Sequence, residues 1–133
     1  MKKPLHFLFA IPLLMLFSFQ CSKEEFEGNI YTGKVTLEGI CGRTVISIID
    51  GDLGLLPTGS YAPRWTDPNT GIQHENVFMI GNICQIDSTL RLGDQFTFTL
   101  HDQPNRSCIV CMAWSPAPQE QMAIKLQSLL RAR

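Results

Sequence analysis

Charge is scarce and balanced in this chain. Of 133 residues 17% are charged, 11 basic against 12 acidic, and Lys and Arg are scattered rather than clustered. A protein that grips nucleic acid needs basic side chains gathered on one face, so no nucleic-acid partner is expected. Long apolar runs are missing too. The longest, Leu5 to Phe19, has 15 residues and is broken by His6, Pro12 and Ser18, whereas a membrane-spanning helix needs about 20. Histidine is rare, with only His74 and His101 beyond the first 20 residues. No Ser or Cys stands on a recognisable nucleophile elbow, so no triad can be assembled and no enzyme is expected. Asp50-Gly51-Asp52 lacks the spaced acids and closing Glu of a calcium loop and reads as a turn. No metal and no cofactor are expected.

What is present begins at the N-terminus. Lys2 and Lys3 precede the apolar stretch, and Gln20-Cys21-Ser22-Lys23-Glu24-Glu25 follows it. Positive charge, a short apolar run and a cut site make a secretory signal peptide, with an uncleaved N-terminal anchor as the alternative. Phe17-Ser18-Phe19-Gln20-Cys21 resembles the lipobox of bacterial lipoproteins, departing from it at Ser18 and Gln20. Cys21-Ser22-Lys23-Glu24-Glu25 resembles the tag of surface-exposed lipoproteins of the Bacteroidota. The resemblance implies that residues 1–20 are a signal peptide and that Cys21 is lipidated. Residues 21–29 then form a polar tether and residues 30–133 one domain. Lipidation supplies the two or more acyl chains that stable membrane residence requires. The implied address is the outer membrane, lipid-anchored and surface-exposed.

Without Lys2 and Lys3 the mature chain carries nine basic and twelve acidic residues, a formal charge of −3. Its 113 residues suffice for one domain with a modest core. Beyond Cys21 four cysteines remain: Cys41, Cys84, Cys108 and Cys111. An even number in a small exported domain favours disulfides, each contributing about 2–4 kcal/mol. Cys108-Ile109-Val110-Cys111 is a Cys-x-x-Cys, but its β-branched centre favours a strand. Across three extended residues the Cα atoms lie about 10 Å apart, too far for a mutual bridge. The expected pairing is Cys41 with Cys111 and Cys84 with Cys108, one of three connectivities. Redox or zinc chemistry at Cys108 and Cys111 is the alternative, and an oxidising compartment disfavours it.

Periodicity points to an all-β domain. Strands are expected over Ile30–Leu37, Thr44–Ile49, Asn76–Ile80 and Gln95–His101, with a further one from Cys108 to Trp114 and a crossing segment from Ile86 to Leu92. Thr44–Ile49 is β-branched almost throughout, as suits a strand covered on both faces. Residues 51–75 are rich in Gly and Pro and read as loop. The tail fits either a strand over Gln121–Ser128 or a helix, and the strand is preferred because its predecessors need a partner. A small antiparallel barrel of five or six strands results, with a C-terminal helix as the variant.

Gly33-Lys34-Val35 and Gly93-Asp94-Gln95-Phe96-Thr97-Phe98 are similar to segments of OB-type barrels. Cys41-Gly42 and Cys111-Met112-Ala113-Trp114 resemble small Bacteroidota lipoproteins, which implies an OB-like barrel and no particular activity. Asp87-Ser88-Thr89 resembles the O-glycosylation triplet of exported Bacteroidota proteins. Tyr61, Arg64 and Trp65 are the candidate ligand-binding residues. A Trp beside an Arg in a loop suits stacking on a sugar or plugging into a partner, unless Trp65 folds back over the barrel. Trp114 is expected in the core. The function expected is a lipid-anchored binding or scaffolding module, its partner a glycan, an envelope protein or a small apolar ligand.

Overall fold

The computed structural model describes residues 28–40, 43–86, 89–101 and 114–132. Seven strands run through them: β1 (Tyr31–Glu38), β2 (Thr44–Asp50), β3 (Ala62–Thr66), β4 (Gln73–Ile80), β5 (Gln95–Leu100), β6 (Gln121–Met122) and β7 (Ile124–Leu130). Two short 3-10 turns, Leu53–Leu55 and Ile83–Gln85, lie among the described residues. No helix among them is long and apolar enough to cross a membrane. The chain is therefore all-β in these parts, and its tail is strand, not helix. The strands make one sheet in the order β3-β4-β2-β1-β5-β7, with β6 paired to β4 off that path. All pairs are antiparallel except β4–β6, which is parallel.

The expected number of five or six strands falls short for two reasons. The stretch read as loop contributes β3, and β4 begins at Gln73 rather than Asn76. Ala123 divides the terminal strand into β6 and β7. Turn chemistry in residues 51–75 masked a five-residue edge strand whose Pro63 marks it as peripheral, since proline cannot donate to a central ladder. Pro63 and the left-handed Asn76 (φ 51°) stand together at a gap in the β3–β4 pairing, between Ala62↔Val77 and Arg64↔Glu75. Asparagine tolerates that backbone region better than most residues. Of the segment from Ile86 to Leu92, the described residues form no strand; Leu90 is nonetheless buried. The strand expected from Cys108 lies outside the described residues up to Trp114. Trp114 itself is no strand residue and no core residue, being 70% exposed.

The main core lies on one face of the sheet. Tyr31, Val35, Ile46, Ile48, Phe78, Ile80, Phe96, Phe98, Met122 and Ile124 are all buried in it. Period-two alternation delivers these residues: Phe96 and Phe98 from β5, Ile46 and Ile48 from β2. Phe98 is the hub, its ring centroid 5.6 Å from Tyr31, 5.6 Å from Phe78 and 5.7 Å from Phe96. A smaller cluster of Val45, Ala62 and Val77 packs separately, with Leu37, Trp65 and Ala117 against it. The first half of β2 is thus buried on both faces, as its composition suggested, whereas Ile49 near its end is 50% exposed.

Two glycines are fixed by close approach. A Cβ on Gly33 would meet Ile46 Cγ2 at 2.7 Å, between the Phe96 and Phe98 rings. Gly51 has φ +123° and lies against the Tyr31 ring, where a side chain would clash. The Tyr31 hydroxyl donates to the Asp52 carbonyl at 3.1 Å. Burial first, and the Asp52 carboxylate second, push the Tyr31 pKa above its ordinary value, so the phenol remains a neutral donor at physiological pH.

Two buried polar side chains fasten the C-terminal strands. Asn82 accepts from Ile124 N–H at 2.8 Å and donates to the Ile124 carbonyl at 2.8 Å and to Gln85 Oε1 at 2.9 Å. Asp94 accepts from Arg91 N–H at 2.9 Å and from Ala132 N–H at 3.0 Å, and Arg131 approaches it at 3.6 Å. The carboxylate is only 1% exposed, yet its cover is a thin layer of turn and tail rather than deep core. The backbone N–H groups of Ala132 and Arg91 therefore outweigh desolvation and hold its pKa below the usual carboxylate value. A depressed folded pKa stabilises the fold above the unfolded pKa, roughly 3.9, and that contribution is lost as pH falls through the folded value. Asp94→Asn should flatten the loss of melting temperature between about pH 5 and pH 2. An unchanged acid slope in thermal scans of the variant would contradict this assignment.

Candidate functional site

The residues picked out for ligand binding sit on and beside β3, and the structure separates them. Trp65 is in a strand, not a loop. It is half-buried, stacks on His74 of β4 with centroids 6.0 Å apart and planes at 25°, and packs against the smaller cluster. Tyr61 packs instead against the main core. Arg64 is exposed and stands opposite Glu75 in the register. The three side chains therefore serve two different clusters and the solvent, and do not converge on one pocket. Alternation of faces along β3 separates Arg64 from Trp65, which a loop reading could not foresee, and Tyr61 precedes the strand.

Two clefts among the described residues are lined by other side chains. One, of about 520 Å³, lies between the Pro57–Ser60 turn, the end of β5 and the β6–β7 junction. Thr58, Ser60, His101 and Gln121 line it with polar groups, and Leu100 and Met122 with apolar ones. His101 N–H donates to the Ala123 carbonyl at 2.9 Å, which fixes this histidine's backbone against the junction. The Ser60 hydroxyl is buried with no hydrogen-bond partner, while Ser60 N–H donates to the Pro57 carbonyl at 3.2 Å. A buried hydroxyl left unpaired is costly, by about 1–3 kcal/mol, which makes it worth an explanation.

The second cleft, of about 610 Å³, is bounded by the end of β1 and the turn before β4. Ile40, Ile72 and Leu92 stand exposed on its rim. Its carboxylates already have partners: Asp67 accepts from Asn69 N–H at 2.8 Å and from the Thr70 hydroxyl at 3.0 Å, and Glu38 accepts from Leu92 N–H at 3.3 Å. These carboxylates hold turns in shape.

Cys84 is disulfide-bonded. Cys21, Cys41, Cys108 and Cys111 lie outside the described residues, as do Asp87 and Ser88, so the pairing and the lipidation site carry no geometry here. Among the described residues no group of three or more His, Cys, Asp or Glu side chains could hold a metal ion. Comparison with protein-family models, curated proteins and solved structures finds no match.

The first cleft was missed because its residues come from four places in the chain: positions 57–60, 81, 100–101 and 121–123. No local motif links them. Gly59 and Gly81 were legible only as turn residues.

Proposed function

We propose that the chain is a lipid-anchored lipoprotein of the bacterial outer membrane, surface-exposed, whose β domain binds or scaffolds rather than catalyses. The observation that carries this reading is the sequence Lys2-Lys3, apolar Leu5–Phe19, then Cys21-Ser22-Lys23-Glu24-Glu25. The described part of the domain is compatible with a tethered module. Its first strand begins at Tyr31, just past the tether assigned to residues 21–29. Cys41, Cys84, Cys108 and Cys111 form two structural disulfides in this reading. The bonded state of Cys84 supports it, and an exported domain is where such bridges persist.

An OB-like barrel belongs to the same reading. Its support is the terminal segment: β6 lies parallel on β4, while β7, one residue later, lies antiparallel on β5. The strand path itself is open and not closed into a barrel, and in this reading that segment brings β4 and β5, the ends of the run β4-β2-β1-β5, toward one another.

Cys21→Ala tests the anchor. The variant is expected to appear in the soluble fraction or to accumulate as uncleaved precursor, whereas the wild-type chain sediments with membranes and carries fatty acid by mass spectrometry. Membrane fractionation and processing identical to wild type would remove the basis for the proposal.

A further inference from the structure

The cleft beside Ser60 has the makings of a ligand site, and its chemistry is specific. At about 520 Å³ it falls within the range of small-molecule pockets. Among the described residues no Asp, Glu, Lys or Arg lines it. The described lining thus offers a charged ligand no opposite charge in exchange for its hydration. Thr58 and Gln121, both exposed, bring polar side chains to its lining that offer both donors and acceptors. Pro57, Leu100 and Met122 add apolar surface, and Leu100, at the end of β5, keeps 38% of its surface in solvent.

This pairing of apolar surface with neutral hydrogen-bonding groups matches a sugar ring. Such a ring presents C–H groups on a face and hydroxyls around its edge. The hydroxyl of Ser60, a residue of the lining, is buried without a partner, and a hydroxyl-bearing ligand seated beside it would supply one. Gly59 leaves the approach open, since a Cβ built there meets nothing within 4 Å. The second cleft is weaker on the same criteria. Its carboxylates are already satisfied, and nothing in the structure shows what covers its exposed apolar rim.

We propose that the cleft between the Pro57–Ser60 turn and the β6–β7 junction binds a neutral saccharide unit. This deepens the binding role proposed above and rests on it. Thr58 and Gln121 form the accessible polar rim and Met122 part of the apolar wall.

Saturation-transfer difference NMR on the full chain tests it. The probes are glucose, galactose and N-acetylglucosamine, with glucuronate as the anionic control. At least one neutral sugar is expected to receive saturation, and glucuronate much less. Thr58→Phe, at an exposed position, fills the mouth of the cleft and should abolish the signal with the melting temperature unchanged. Ser60→Ala should weaken binding about fivefold, the effect of one hydrogen bond, without loss of stability. Absence of transfer to every neutral sugar, transfer equal for glucuronate, or transfer untouched by Thr58→Phe in a folded variant would overturn the assignment. Cell fractionation is independent of this readout, so a failed anchor and a failed sugar site give different results.

Discussion

Asn82→Ala is expected to destabilise the domain by about 3 kcal/mol, among the larger effects of any single polar substitution in it. Asn82 is wholly buried and stands beyond the end of β4. Its amide pairs with both the N–H and the C=O of Ile124 at the start of β7, imitating a ladder bond where no strand residue is available. Truncation leaves two backbone groups of Ile124 and the Gln85 side chain without their partner, in a place where Ile124 is only 1% exposed. The cost is therefore the desolvation of orphaned groups rather than the small net value of the bonds themselves. Thermal unfolding should show a fall on the order of 10 °C. Asn82→Asp should be no rescue, because a carboxylate cannot donate to the Ile124 carbonyl. A melting temperature within 2 °C of wild type for Asn82→Ala would mean that the junction is held by something else.

Phe98→Ala should cost about 3–5 kcal/mol, by loss of transfer energy and by the cavity left behind. Three aromatic rings lean on Phe98 and would lose their common neighbour. The site cannot collapse easily. The β1 backbone at Gly33 packs so close that an added Cβ would lie 3.2 Å from the Phe98 ring, and Ile46 fills the space beside it. The same substitution at Leu100, two residues on in β5 and partly exposed, should cost far less. Urea denaturation of the two variants checks this, with the midpoint shift for Phe98→Ala several times that for Leu100→Ala. Equal shifts would contradict the placement of Phe98 at the centre of the core.

These two residues differ in how visible they were. Phe98 lies in Phe96-Thr97-Phe98-Thr99-Leu100, whose alternation announces a half-buried strand. Asn82 offered no sign. It follows an apolar run and reads as the end of a strand, and its partner Ile124 is 42 residues away. The same contrast holds at the candidate sites. Trp65 and Arg64, with Tyr61, were chosen as an aromatic beside a cation in a loop, but Arg64 and Trp65 are strand neighbours, whose side chains alternate faces. The cleft beside Ser60 gathers four separated segments and has no local signature. Trp114 was assigned to the core for its size, yet a large aromatic contributes nothing there unless the chain brings it to a face that needs covering.

The amino-acid sequence by itself determined the class of the domain and most of its strands. Period-two alternation and β-branched runs are local properties, and each strand reports them without knowledge of its neighbours. It also carried the N-terminal pattern on which the proposed anchor rests, because an export signal is read as linear sequence. Only the tertiary structure decided strand order, the split of the terminal strand at Ala123, the edge position of β3, and which polar residues are buried. Those depend on contacts between residues far apart in the chain, where assembly of a specific sheet selects one pairing among many that the local pattern permits equally well.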